Sequence, residues 1–211
     1  MVDHPIFTES IRRIRALLGE TGFDPLQQQV LERLVHSSGD PGLLPLLRFS
    51  DGACERGLEA LKNGALILTD TAMAAAAVTP MATRTLGTPV RCLLDWAPSQ
   101  SPPGSTRSAA AMQRAWPELT AAASTAGKSM PVVLVGSAPT ALEQLLDQVE
   151  DGAAAPSLVI GMPVGFVGVP ESKRRLAVTE LAQIRLEGTR GGAGLVAAAA
   201  NALLRAAQAA S

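Results

Sequence analysis

A three-layer α/β fold is what this sequence predicts, a doubly wound parallel sheet of about five strands preceded by N-terminal helices. Three observations carry that prediction. Five short runs, Ala65–Thr69, Val90–Leu94, Val132–Val135, Leu158–Ile160 and Ala182–Leu186, are apolar without alternation, as strands covered by helices on both faces are. Helical segments separate successive runs, so neighbouring strands are joined by crossovers and lie parallel. Turns suited to ligands follow the runs: Thr69-Asp70, Gly136-Ser137-Ala138-Pro139-Thr140, and Gly161-Met162-Pro163-Val164-Gly165-Phe166-Val167-Gly168. Five strands of this kind fit a flavodoxin-like architecture, in which ligands bind beyond the carboxyl ends of the strands.

The chain opens with two helices, at roughly 8–20 and 25–36. Asp24-Pro25 starts the second and Gln27 stands where a capping box needs it; Gly39, after Val35-His36-Ser37-Ser38, stops it. A third helix spans 52–63 and closes at Asn63-Gly64. Beyond the first two strands, the polar, proline-rich loop Ala97–Gly104 leads into a helix start at Thr106-Arg107-Ser108. After Val135, Pro139 suits the first turn of a helix, and Thr140 with Glu143 offers a capping-box pattern. The alanine-rich tail from Ala193 reads as a packed helix: Asn201 and Arg205 interrupt it, and alanine is too weakly apolar to anchor a membrane span. One domain over 1–211 is expected from this length.

Composition narrows the function. Hydrophobic residues make up 47% and charged residues 18%, the net charge is -1, and there is no tyrosine. An ordinary globular core follows, and nothing points to nucleic acid, since no basic run and few stacking aromatics occur. Cys54 and Cys92 stand apart, without CxxC or Cys/His clustering, which argues against a disulfide framework and a zinc site. The N-terminus carries no basic and apolar signal segments, so a reducing cytoplasm is the expected home and no membrane partner is expected.

Nucleotide motifs fail on inspection. Gly127-Lys128-Ser129 ends like a phosphate loop, but Ala122 stands where the first glycine belongs and a strand follows instead of a helix. Gly161, Gly165 and Gly168 lack dinucleotide spacing, and no nucleophile elbow accompanies the serines. His36 is more informative. It sits at the end of an amphipathic helix beside Ser37-Ser38-Gly39-Asp40, where the helix terminus favours imidazolium and proton donation near neutral pH; the alternative is a histidine that merely caps helix carbonyls. His4 reads as an exposed terminal residue. Of the cations Arg48, Arg84, Arg107, Lys173 and Arg190, Arg107 and Arg190 lie beside helix starts among small residues, where an arginine fork and free N–H groups can share a carboxylate.

Read together, several ordered blocks resemble the precorrin-8X methylmutase family, also called precorrin isomerase. They are Val35–Asp40, Arg48-Phe49-Ser50, Thr69–Met73, Thr106–Ala111, Gly136–Leu142, and Gly161–Gly168 with Glu171-Ser172-Lys173; the likeness runs from about residue 5 to about 205. The resemblance implies an isomerase of cobalamin biosynthesis that moves a methyl group from C-11 to C-12 of a corrinoid macrocycle, taking precorrin-8X to hydrogenobyrinate or cobalt-precorrin-8 to cobyrinate. It implies His36 as the proton donor to a ring nitrogen and Ser10 as a substrate contact. Asp70, Arg107, Ser108, Gly136, Ser137, Gly165, Phe166, Lys173, Arg190 and Gly191 are the further substrate-binding residues it implies, with Arg107, Arg190 and the turns at 136–140 and 161–168 meeting the acetate and propionate arms. No cofactor and no dedicated metal ligand are implied, and homodimers with the ligand near the subunit interface are. The chain departs from the family pattern at Ala72, Ser137, Glu187 and Ala193, and Glu187 would repel a carboxylate arm if it pointed inward. A non-catalytic tetrapyrrole-binding or carrier protein is the alternative function, and a nucleotide-using α/β enzyme a more distant one.

Overall fold

In the computed structural model the described chain runs from residue 4 to residue 209. Helices α1 (Pro5–Leu18) and α2 (Pro25–Ser38) come first, each with a proline in its first turn. His4 is more than a terminal residue: its Nδ1 accepts from the Ile6 N–H and caps α1. The capping box expected at α2 forms, with Asp24 accepting from Leu26 and Gln27 and the Gln27 side chain accepting from the Asp24 N–H. A 3-10 segment, Pro41–Leu46, leads into β1 (Leu47–Phe49). Then follow α3 (Ala53–Lys62), β2 (Ile67–Thr69), α4 (Ala72–Arg84), β3 (Val90–Cys92) and a 3-10 turn at Leu93–Trp96. The second half holds α5 (Arg107–Thr125), β4 (Val132–Val135), α6 (Pro139–Glu150), β5 (Leu158–Gly161), α7 (Val169–Ala177), β6 (Gln183–Leu186) and α8 (Ala193–Ala209).

The sheet order is β1-β6-β5-β4-β2-β3, with β2 to β6 parallel and β1 antiparallel to β6. Numbered among themselves, the five parallel strands run 2-1-3-4-5, the flavodoxin-like order, and their switch point lies between β2 and β4. The central strands divide their side chains between two cores. Ile67, Val132, Leu134, Leu158, Ile160, Ile184 and Leu186 join α2, α3, α4 and α8 on one face, whereas Leu68, Val133, Val135 and Val159 join α5 and α6 on the other. Ala197–Ala200 let α8 lie close against its neighbours in the first core.

Three local expectations change. The sheet has six strands, because Leu47-Arg48-Phe49 adds an edge strand that pairs Leu47 with Leu186 and Arg48 with Arg185. Only Leu47 of these three is fully buried, so the segment carries no apolar run to announce it. The run from Val90 shortens to three residues as the chain coils at Leu93. At α6 the capping box does not form: no side chain caps at Ala138, the Thr140 hydroxyl pairs with Thr106, and Glu143 pairs with Arg175.

Candidate active site

Helix α2 ends where Gly39 turns into the left-handed region at φ 67° and its N–H bonds to the Val35 carbonyl, which leaves His36 exposed in the last turn. The antiparallel α1 supplies the partner. Arg15 grips the buried Glu32 with two hydrogen bonds of 2.7 and 3.0 Å, and Gln28 adds a third. That clamp fixes the helix pair so that Ser10, one turn and more back along α1, meets His36: Oγ to Nδ1 is 2.7 Å. Phe7 stacks edge-on against the imidazole at 5.1 Å, and Arg33 lies over the Phe7 ring at 4.8 Å. The hydroxyl fixes one ring nitrogen, so Nε2 is the nitrogen left for a ligand. An open hollow of about 530 Å³ runs along α1 past Pro5, Ile6, Glu9, Ser10 and Arg13.

The electrostatics of His36 correct the expectation drawn from its helix terminus. Although the residue is exposed overall, its pKa is lowered, first by partial desolvation of the ring and then by the nearby positive charge of Arg33. Both effects favour the neutral ring over the imidazolium.

From His36 a continuous rim follows the carboxyl ends of the strands. Asp40 and Arg190 pair at 3.0 Å, joining the turn after α2 to the loop after β6. Gly165 donates its N–H to the Thr189 carbonyl, which brings in the loop after β5. Thr140 and Thr106 bond at 2.7 Å, joining the start of α6 to that of α5. Arg107 opens α5 and is exposed, with Nε donating to the Pro98 carbonyl at 2.8 Å and the rest of its fork uncommitted to that bond; Ser108 beside it is half-buried. Phe166 stands 86% exposed at the tip of the β5 loop, next to the equally bare Val167.

Other predicted site residues have structural tasks. Asp70 is buried under the switch point, where its Oδ2 accepts from the N–H groups of Gly136, Ser137 and Ala138 at 3.0, 2.6 and 2.8 Å. The N–H groups expected to bind a substrate arm are thus occupied by the chain's own carboxylate, which ties the turn before α6 to the end of the neighbouring β2. Burial raises the Asp70 pKa, against the pull of those three hydrogen bonds. Lys173 is also turned inward: 2% exposed, it donates to the carbonyls of Gly188 and Arg190 at 2.9 and 2.6 Å. Gly136 and Gly191 serve close packing of backbone on backbone. A Cβ on Gly136 would meet the Gly192–Ala193 peptide, and one on Gly191 the Met162 carbonyl. Glu187 does not face an arm site near His36; it pairs with Arg48 at 2.8 Å on the other face of β6.

Phe7 and Arg33 are not among the residues the sequence singles out, although Phe7, three residues before Ser10, lies on the same face of a helix. The site therefore offers one positioned imidazole, a cationic and apolar rim, and broad access. That combination suits proton transfer to a large, partly apolar, anionic ligand. Among the described residues no group of three or more His, Cys, Asp or Glu is arranged to hold a metal ion, and no helix is long and apolar enough to cross a membrane.

Comparison with known proteins is consistent across sequence and structure. The family model described as Precorrin-8X methylmutase matches residues 5–206. The chain is 33% identical to a cobalt-precorrin-8 methylmutase of Synechocystis sp., covering 96% of this chain and 95% of that one. It is 38% identical to a precorrin-8X methylmutase of Pseudomonas aeruginosa, covering 94% and 93%. The structure superposes on a precorrin-8X methylmutase from Thermus thermophilus with a TM-score of 0.81 at 38% identity, covering 97% and 96%.

Proposed function

The chain belongs to the precorrin-8X methylmutase family, and from that premise we propose that it moves the methyl group from C-11 to C-12 of precorrin-8X or cobalt-precorrin-8, with His36 as the proton donor. It is an isomerase of cobalamin biosynthesis. The observation that carries the assignment of roles is the 2.7 Å bond between Ser10 Oγ and His36 Nδ1: it holds the ring in one orientation and presents Nε2 to the ligand.

In this reading the macrocycle lies across the rim with its carboxylate arms toward Arg190 and Arg107. Those arms bring negative charge beside His36, offset the effects of burial and Arg33, and favour the imidazolium once the ligand is seated. His36 then donates a proton to a ring nitrogen and draws electron density from the conjugated system. One carbon–carbon bond breaks at C-11 and one forms at C-12, with no change of oxidation state, and the proton returns to His36. Phe166 and Val167 cover apolar surface of the macrocycle, so the protein acts through positioning, one acid and exclusion of water. The same reading takes the protein to be a cytoplasmic homodimer.

The test is to mix purified protein with precorrin-8X and follow the visible spectrum, since migration of the methyl group rearranges the chromophore. Conversion to the hydrogenobyrinate spectrum is expected, and His36→Ala should slow it about 100- to 10,000-fold while leaving the fold and ligand binding intact. A shifted but unconverted spectrum with wild-type protein, also for cobalt-precorrin-8, would favour a carrier. Unchanged turnover in His36→Ala would remove His36 from the mechanism.

A further inference from the structure

On the α7 side of the sheet, β6 breaks the pattern of its neighbours. Where β4 places Val133 and Val135 and β5 places Val159 and Gly161, β6 places Gln183 and Arg185. Gln183 donates its Nε2 to the carbonyl of Leu176, and its buried Oε1 has no partner among the described residues. Arg185 is also thinly served: its side chain is 15% exposed, and its ion pair among the described residues is a long 3.9 Å approach to Glu187. Glu187 is itself held at 2.8 Å by Arg48, whose position on β1 lies directly opposite Arg185.

Beside Arg185 a groove of about 280 Å³ opens between α7 and the end of β6. Lys173 and Arg174 line it from the helix, Arg185, Glu187 and Gly188 from the strand. Lys173 uses two of its three ammonium hydrogens on the carbonyls of Gly188 and Arg190. Arg174 reaches Glu171 at the surface. The groove thus gathers three cations, two of them largely withdrawn from water, around one carboxylate that is already paired. Lone buried cations are costly, and an anion among them offsets that cost.

We propose that this groove is a second binding site of the protein, in which Lys173, Arg174 and Arg185 hold an oxyanion of the carboxylate or phosphate class. The groove lies in the α5–α7 layer, and His36 in the α2–α8 layer, so the two sites sit on opposite faces of the sheet's end and share the loop 188–190 as a wall. An anion in the groove takes the third hydrogen of Lys173 and the guanidinium of Arg185, and through the Lys173 bonds it steadies the loop whose Arg190 grips Asp40 next to His36. The titration of the two buried cations agrees with an unfilled counter-charge: burial brings Lys173 down to about 8 and lowers Arg185 as well. Two sources supply such an anion, a free oxyanion from solution or a carboxylate arm of the macrocycle reaching over the loop. Only the second rests on the methylmutase reading.

Inorganic phosphate, titrated calorimetrically into the protein without corrinoid, tests the first source. One saturable site per chain is expected, with affinity at least about ten-fold weaker in Arg185→Gln, retained in Arg185→Lys, and tighter in Glu187→Gln, which removes the competing carboxylate. The second source is tested by steady-state kinetics with precorrin-8X, where Arg185→Gln should raise KM more than it lowers kcat. Dependence on Arg185 in either arm supports the site and identifies its anion. Phosphate affinity equal in all these proteins, or absent, together with an unchanged KM, would overturn it. Should Arg185→Gln fail to fold, Glu187→Gln decides the matter: tighter phosphate binding than wild type supports the site, and unchanged binding overturns it. A protein inactive on precorrin-8X that still binds phosphate through Arg185 would count against the methylmutase reading alone.

Discussion

His36 shows how far a single residue can be read and where reading stops. Its place at a helix end, before a glycine, is visible in the order of residues, but its titration is set by groups distant in sequence. Ser10 holds Nδ1 from α1, Phe7 packs on the ring edge, and burial together with Arg33 lowers the pKa from its ordinary value of 6.5. The sign of the pH dependence follows. If the free enzyme must carry the proton it donates, kcat/KM falls as pH rises, with a midpoint below 6.5. For kcat the midpoint moves upward, because the bound carboxylates favour imidazolium. A flat kcat/KM between pH 5 and pH 7 would remove the imidazole acid. Ser10→Ala should lower kcat about ten-fold without altering thermal stability, since the ring loses its orientation and little packing is lost. Full activity in that variant would show that the serine has no positioning role.

At the scale of elements, the loops after β4, β5 and β6 act as one piece of scaffold. Their glycines look in sequence like places for a ligand to approach, yet Gly136 and Gly191 are small because other backbone already occupies the space a side chain would need. Asp70 extends the same lesson. In sequence it is a polar residue at a strand end, as a substrate contact would be; in space it fixes the turn that leads into α6, where Thr140 and Glu143 promised a local cap and found other partners. Asp70→Ala strands three backbone N–H groups at the switch point and should destabilise the protein by at least about 3 kcal/mol in urea denaturation. A loss below about 1 kcal/mol would mean that water replaces the carboxylate without cost.

At the scale of the whole molecule, Ile6 and Leu17 are exposed on α1, and Ile6 borders the hollow beside Ser10. Three helical turns separate them on one face, with the polar Ser10 and Arg13 between them, so they offer a second copy two separate apolar contacts beside the candidate acid. Sedimentation equilibrium should accordingly yield twice the chain mass, and a monomer at micromolar concentration would dismiss the dimer. The sequence by itself determined the layering and the order of elements, because runs buried on both faces and helices with proline and aspartate caps are local signals that the period of the chain displays. It also determined the family, because several blocks keep their order and spacing over most of the chain. The tertiary structure decided what each polar residue does. It added β1, whose Leu47-Arg48-Phe49 has meaning only beside β6. It assigned Asp70 and Lys173 to inner scaffolding, paired Ser10 with His36, and left Arg185 short of a counter-charge. Such roles depend on which groups approach within about 3 Å and how much water remains between them, and neither quantity is written along a chain until distant segments have packed.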